Sequence, residues 1–181
     1  MSILLLTEVF PPMHGGSGRW LYEVYRRVTD TPVTVVAGKH DGSQNFDAQC
    51  ELPVHRSALK MSNWGILSLA AQRDYLREYR LLRGLIQEQG VREVHVGRCL
   101  PEGWLAWMLK HRMGIPYVCY VHGEDAEIAR TSRQLFWMAQ RVFRNAESII
   151  AVCAASGDKP RCLPISHSRL NSISPSNSAR S

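Results

Sequence analysis

An alternation limits this fold more than any other feature of the sequence. Short aliphatic or β-branched runs at residues 3–6, 33–37, 93–96, 117–121 and 148–152 are separated by segments with helical spacing. A continuous apolar run is what a strand covered by helices on both faces requires, because neither face meets water. Strands that alternate with helices pair in parallel, through right-handed crossovers. The expected fold is α/β, a doubly wound parallel sheet of Rossmann-like type, in a single domain.

The helical segments carry their own punctuation. Trp20, Leu21, Val24, Tyr25 and Val28 recur on one face until Thr31-Pro32 breaks the pattern. Residues 38–49 are polar and glycine-bearing, which predicts a loop, and 52–55 read as a short, weak strand. Residues 72–89 form the longest pattern, with Tyr75, Tyr79, Leu82 and Ile86 on one face and Arg73, Arg77, Arg80 and Arg83 on the other; Gly90 follows as a C-cap. Residues 101–112 predict a helix with Pro101 in its first turn. Thr131 or Ser132 is placed to cap another, carrying Leu135, Phe136, Ala139, Val142 and Phe143. From Ser156 onward the chain is rich in serine and proline without any hydrophobic period, which predicts disorder over 156–181 and a folded domain over 1–155.

Totals narrow the function classes. A chain of 181 residues suffices for one well-packed domain, and 45% hydrophobic with 21% charged residues is ordinary for a globular protein. No apolar run reaches 18 residues, and the N-terminus lacks the basic region and small-residue cleavage site of a signal peptide, so a cytoplasmic location is expected. Five scattered cysteines without a CxxC pair read as reduced thiols, and no metal site is expected. The net charge of +6 fits anionic partners, phosphorylated ligands or acidic headgroups, and equally fits plain solubility. No basic run with interleaved aromatics argues for nucleic acid. The arginine row at 73, 77, 80 and 83 is either a solvated face or a peripheral contact with acidic lipid at the inner face of a membrane.

Two loops stand out, PPMHGGSG (11–18) and HGED (122–125). Both directly follow strands, so both belong at the carboxyl edge of the sheet, where such folds bind ligands. Gly15, Gly16 and Gly18, ahead of Arg19, let the backbone come within hydrogen-bond reach of a ligand, and a helix start offers unpaired N–H groups to phosphate. The alternative is a glycine turn needed only for close packing. The spacing is not that of a P-loop, and GGSGRW lacks the third glycine of a dinucleotide fingerprint. His122 at a strand end is the candidate catalytic residue: it can donate to a phosphate or sugar hydroxyl, act as acid or base near neutral pH, or simply cap its strand. Glu124 and Asp125 read as an acid–base pair or as charges favouring the next helix.

Taken in order, EVFPPMHGG (8–16), VHGED (121–125) and AESIIAV (146–152) resemble the corresponding segments of glycosyltransferase family 4, over roughly residues 2–155. The resemblance implies the N-terminal, acceptor-side half of a GT-B enzyme. It implies that Gly15 and Gly16 approach the diphosphate of a nucleotide-sugar and that His122 contacts the donor sugar close to the bond being broken; Gly18, Arg19 and Glu124 are further candidates for binding the donor phosphate or the acceptor. The implied reaction is retaining transfer of a sugar to an acceptor hydroxyl, with no cofactor beyond the nucleotide-sugar substrate. Nothing after Val152 resembles the family's donor-binding half, so the chain alone is expected to be inactive and its tail to reflect truncation or a frameshift. Two other readings stand beside this one: a non-catalytic half that binds an acceptor or a partner protein, and a different Rossmann-like nucleotide-binding enzyme.

Overall fold

The computed structural model describes residues 2–61, 63–122, 132–153 and 161–165. Seven strands form one sheet in the order β3-β2-β1-β4-β5-β6-β7: β1 Ile3–Thr7, β2 Val33–Gly38, β3 Val54–Ser57, β4 Glu93–Val96, β5 Tyr117–His122, β6 Ser148–Cys153 and β7 Arg161–Ile165. The first six are parallel, with Ile3 opposite Val33 on one side of β1 and Glu93 on the other. Helices α1 Gly16–Tyr25, α2 Ser43–Asp47, α3 Leu69–Gln89, α4 Glu102–Met113 and α5 Arg133–Asn145 fill the connections among the described residues.

The period of two in β1 divides the core. Leu4 and Leu6 face one side and join Leu82 and Ile86 of α3, Leu105 and Leu109 of α4, and Met138 and Val142 of α5. Leu5 faces the other side, with Phe10, Leu21 and Tyr25 against Val35 and Ala37. All three leucines are fully buried, each stabilising the sheet by roughly 2 kcal/mol over an exposed position. Helix α4 buries Trp104, Leu105, Ala106 and Leu109 because it lies between α3 and α5. At Gly103 an added Cβ would sit 2.7 Å from Val142 Cγ1, so the α4–α5 approach depends on that glycine.

Most predicted elements are present, including the Ser132 cap, whose Oγ accepts from Gln134 N at 3.3 Å, and the left-handed Gly90. Four details differ. Residues 43–47 form a short helix where a loop was expected, opened by Gly42 in the left-handed region. Strand β3 begins two residues later than the reading of 52–55. On α5 the buried face is Met138, Ala139 and Val142, and Phe136 is 41% exposed because Met138 takes the inward position. Finally, Arg161–Ile165 adds an antiparallel edge strand inside the stretch expected to be disordered, with Pro164 opposite Ile150. An edge is where a strand tolerates a proline.

Candidate functional site

The strand order reverses direction between β1 and β4, so the connections leaving those two strands diverge and open a crevice at their carboxyl ends. Three groups build its floor. Gly97, just past β4, donates its N–H to Leu6 O at 2.9 Å, and a Cβ there would meet Thr7 Oγ1 at 2.5 Å. Thr7 Oγ1 in turn donates to Val9 O at 3.0 Å, which turns the chain out of β1. His122, at the end of β5, reaches across with Nε2 3.0 Å from Gly97 O and donates to it.

Glu8 is held from three directions. Its N–H donates to Glu102 Oε1 at 2.8 Å, its carbonyl accepts from His40 Nε2 at 3.1 Å, and its carboxylate lies 3.8 Å from Arg98 Nη1. Glu102 is fully buried at the start of α4, and its Oε2 has no hydrogen-bond partner. Burial is the largest influence on this carboxyl and pushes it up to about 7; Arg98 and the N–H groups of Glu8 and Glu102 itself pull the other way.

Beyond Glu8 the chain runs over a buried Phe10, whose ring meets Tyr22 and Phe46 edge-on at 5.9 and 6.1 Å. Arg56 of β3 fixes the proline turn from below. Its guanidinium pairs with Asp47 at 2.7 Å, donates to Gly38 O at 2.9 Å and to Pro11 O, and lies over the Phe10 ring. The loop and the first turns of α1 border a cleft of about 570 Å³, lined by Pro11 to Gly16, Arg19, Tyr22, Glu23 and Phe46.

The three glycines separate here into two kinds. Gly16 opens α1 with nothing within 4 Å of where a Cβ would stand, Gly15 beside it is extended, and α1 has neither a side-chain cap nor an acid in its first turn. Gly18 faces inward, and a Cβ on it would be 2.8 Å from Val9 O. Ala in a helix is ordinarily about 1 kcal/mol better than Gly. We therefore expect Gly16→Ala to keep or slightly raise the melting temperature. Gly18→Ala should destabilise by about 2 kcal/mol, the usual cost of overpacking, in thermal or urea denaturation.

Of the predicted site residues, Gly15, Gly16 and Arg19 meet at the cleft, Gly18 packs beneath them, and His122 borders the crevice without lining the cleft. Glu124 lies outside the described residues. Glu102, Arg98, Arg56 and the packing role of Gly97 were not foreseen. A signal for Glu102 was present in the sequence: an acid at the head of the apolar stretch LPEGWLAWML, with Leu105 and Ala106 at the positions where a basic partner would stand. No group of three or more potential metal ligands is found among the described residues.

Comparison with known proteins is consistent across sequence and structure. The sequence profile of the glycosyl transferase 4-like domain matches residues 15–174. An uncharacterized glycosyltransferase of Methanocaldococcus jannaschii, MJ1178, is 26% identical over 77 residues, which cover 42% of this chain and 22% of that protein. The fold is similar to that of Acinetobacter baumannii MurG, with a TM-score of 0.55 at 10% identity over 84% of this chain and 42% of MurG. It is also similar to Anabaena Alr3699/HepE, solved with UDP and glucose, with a TM-score of 0.53 at 14% identity over 82% of this chain and 37% of HepE. The chain thus spans less than half the length of each of these proteins.

Proposed function

The chain belongs to the glycosyl transferase 4-like family, and from that premise we propose that it forms the acceptor-side half of a nucleotide-sugar-dependent transfer site. The observation that carries the proposal is the start of α1: Gly15 and Gly16 border an open cleft at the ligand edge of the sheet, with nothing within 4 Å of a Cβ on Gly16. Uncapped N–H groups and the positive end of the helix suit the diphosphate of a nucleotide-sugar, with Arg19 beside them. As a departing diphosphate gains charge, these groups stabilise it more than they stabilise the ground state. His122, whose Nε2 donates to Gly97 O, is assigned the contact with the donor sugar, and the acceptor hydroxyl the same side. Retention of anomeric configuration is part of the proposal. A donor-binding half is to be supplied by a further domain.

The test separates ligand approach from packing. Joined to a donor-binding domain of the same family and assayed for nucleotide release, Gly16→Ala should lose at least about tenfold in kcat/KM while its melting temperature holds. His122→Ala should lose on the order of 10²-fold. Full activity in Gly16→Ala would leave the glycine pair without a role in the reaction.

The arginine row is a second element of the proposal. Arg73, Arg80 and Arg83 are exposed along α3, and Arg77 pairs with Asp74 at 2.9 Å and with Glu78 at 3.0 Å. We assign the row to peripheral contact with anionic lipid. No helix among the described residues is long and apolar enough to cross a membrane. Replacing Arg73, Arg80 and Arg83 by Gln should abolish cosedimentation with phosphatidylserine vesicles; unchanged cosedimentation would remove the assignment.

A further inference from the structure

The crevice holds a buried carboxyl that the transfer reaction, as proposed above, does not use. Glu102 is wholly enclosed, accepts the Glu8 N–H through one oxygen and leaves the other without a hydrogen-bond partner. Titratable or charged groups reach it from three neighbouring elements. The loop after β1 brings Glu8, the loop after β4 brings Arg98, and α3 brings Tyr75, which also feels Cys99 and whose hydroxyl is spent on Trp64 O at 2.9 Å. His40 and His122 stand one step further out, on the carbonyls of Glu8 and Gly97. Among the described residues, Arg98 is the cation whose charge acts directly on Glu102. At 3.8 Å from the Glu8 carboxylate it is ion-paired without a hydrogen bond.

We propose that Glu102 is a positioning residue that couples the crevice to proton uptake: it accepts the Glu8 N–H at the start of the glycine loop in either state, leaves Arg98 to an anionic ligand when protonated, and competes with that ligand for Arg98 when ionised. Together with Glu8 and Arg98 the protonated form makes a cluster of zero net charge. Loss of the proton to solvent makes the cluster negative, next to the place where a diphosphate is to sit. Oε2 has no donor beside it to hold a negative charge there, which favours the protonated form. Burial, which pushes this carboxyl up to about 7, brings the change into the neutral range. A bound anion favours the protonated form, so affinity falls as pH rises, by at most about tenfold per pH unit. The inference rests on the reading that a diphosphate binds at the start of α1, beside this crevice.

The experiment uses the isotopically labelled chain and inorganic pyrophosphate as the probe. The Glu102 carboxyl carbon and the Glu8 amide are followed by NMR from pH 5 to 9. Both should titrate with one shared midpoint, and pyrophosphate should raise that midpoint by at least about half a pH unit. In Glu102→Gln the Glu8 amide should lose that step. A Glu8 amide that stays flat in the wild type, or titrates unchanged in Glu102→Gln, overturns the positioning role. A midpoint indifferent to pyrophosphate overturns the coupling to an anion. Because the wild-type Glu8 response needs no ligand, failure there leaves the nucleotide-sugar reading intact. Loss of that reading in the transfer assay would in turn leave the Glu8 link standing.

Discussion

Glu102→Gln gains stability relative to the wild type as pH rises, by about 3 kcal/mol between pH 4.5 and pH 8. The wild-type carboxyl has a folded value of about 7 against an ordinary 4.5, because burial disfavours its charged form. Between those two values the folded state keeps a proton that the unfolded state has released. Unfolding free energy then falls with pH, at up to about 1.4 kcal/mol per unit. The stabilising effect of the neutral carboxyl is fully present below the unfolded value and is lost as pH rises through the folded one. Gln carries no proton to lose, so its curve lacks this slope, while its Oε1 can still accept from Glu8 N–H. Urea denaturation of both proteins at four or five pH values measures the difference, in which all other titrating groups cancel. A difference that does not change with pH would mean that Glu102 is ionised in the fold, with a partner for Oε2.

Arg56→Ala carries the second large effect, about 3 kcal/mol of destabilisation. Arg56 and Asp47 are 10% and 21% exposed, so the pair is only weakly screened. Removing the guanidinium strands a largely enclosed carboxylate, leaves the Pro11 and Gly38 carbonyls without their donor, and uncovers the face of Phe10. Arg56→Lys should recover only part of this, because an ammonium cannot pair both Asp47 oxygens while also reaching two carbonyls. Denaturation curves of the three proteins, with tryptophan fluorescence, check both statements. Equal stability of Arg56→Lys and wild type would show that only charge matters at this position.

What could be read in the sequence followed from local pattern. An uninterrupted ILLL or VTVVA run has one cheap environment, the middle of a covered sheet, and β1 and β2 lie there. The α3 face of Tyr75, Leu82 and Ile86 is buried as its spacing requires. Helix α2 escaped because five residues give no period to detect. In α5 the spacing allowed two inward faces, and packing against α4 chose Met138 over Phe136. The place of His122 and the glycine loop at the carboxyl edge of the sheet was legible because both directly follow strands. Gly16 and Gly18 looked equivalent, since only the position of Val9 O tells which of them a side chain would harm. Arg56 and Glu102 meet partners 45 and 94 residues away in the chain, a pairing that no local pattern encodes.

The most direct test of the site is an amide-shift map of the labelled chain titrated with UDP-, GDP- and ADP-sugars in turn. One of these donors should move the amides of Gly15, Gly16 and Ser17 together with Gly97 and Arg98, and leave the opposite edge of the sheet, at Gly90 and Gly114, unmoved. Shifts gathered at Gly90 and Gly114, or none with any donor, would contradict a nucleotide-sugar site at the β1–β4 crevice.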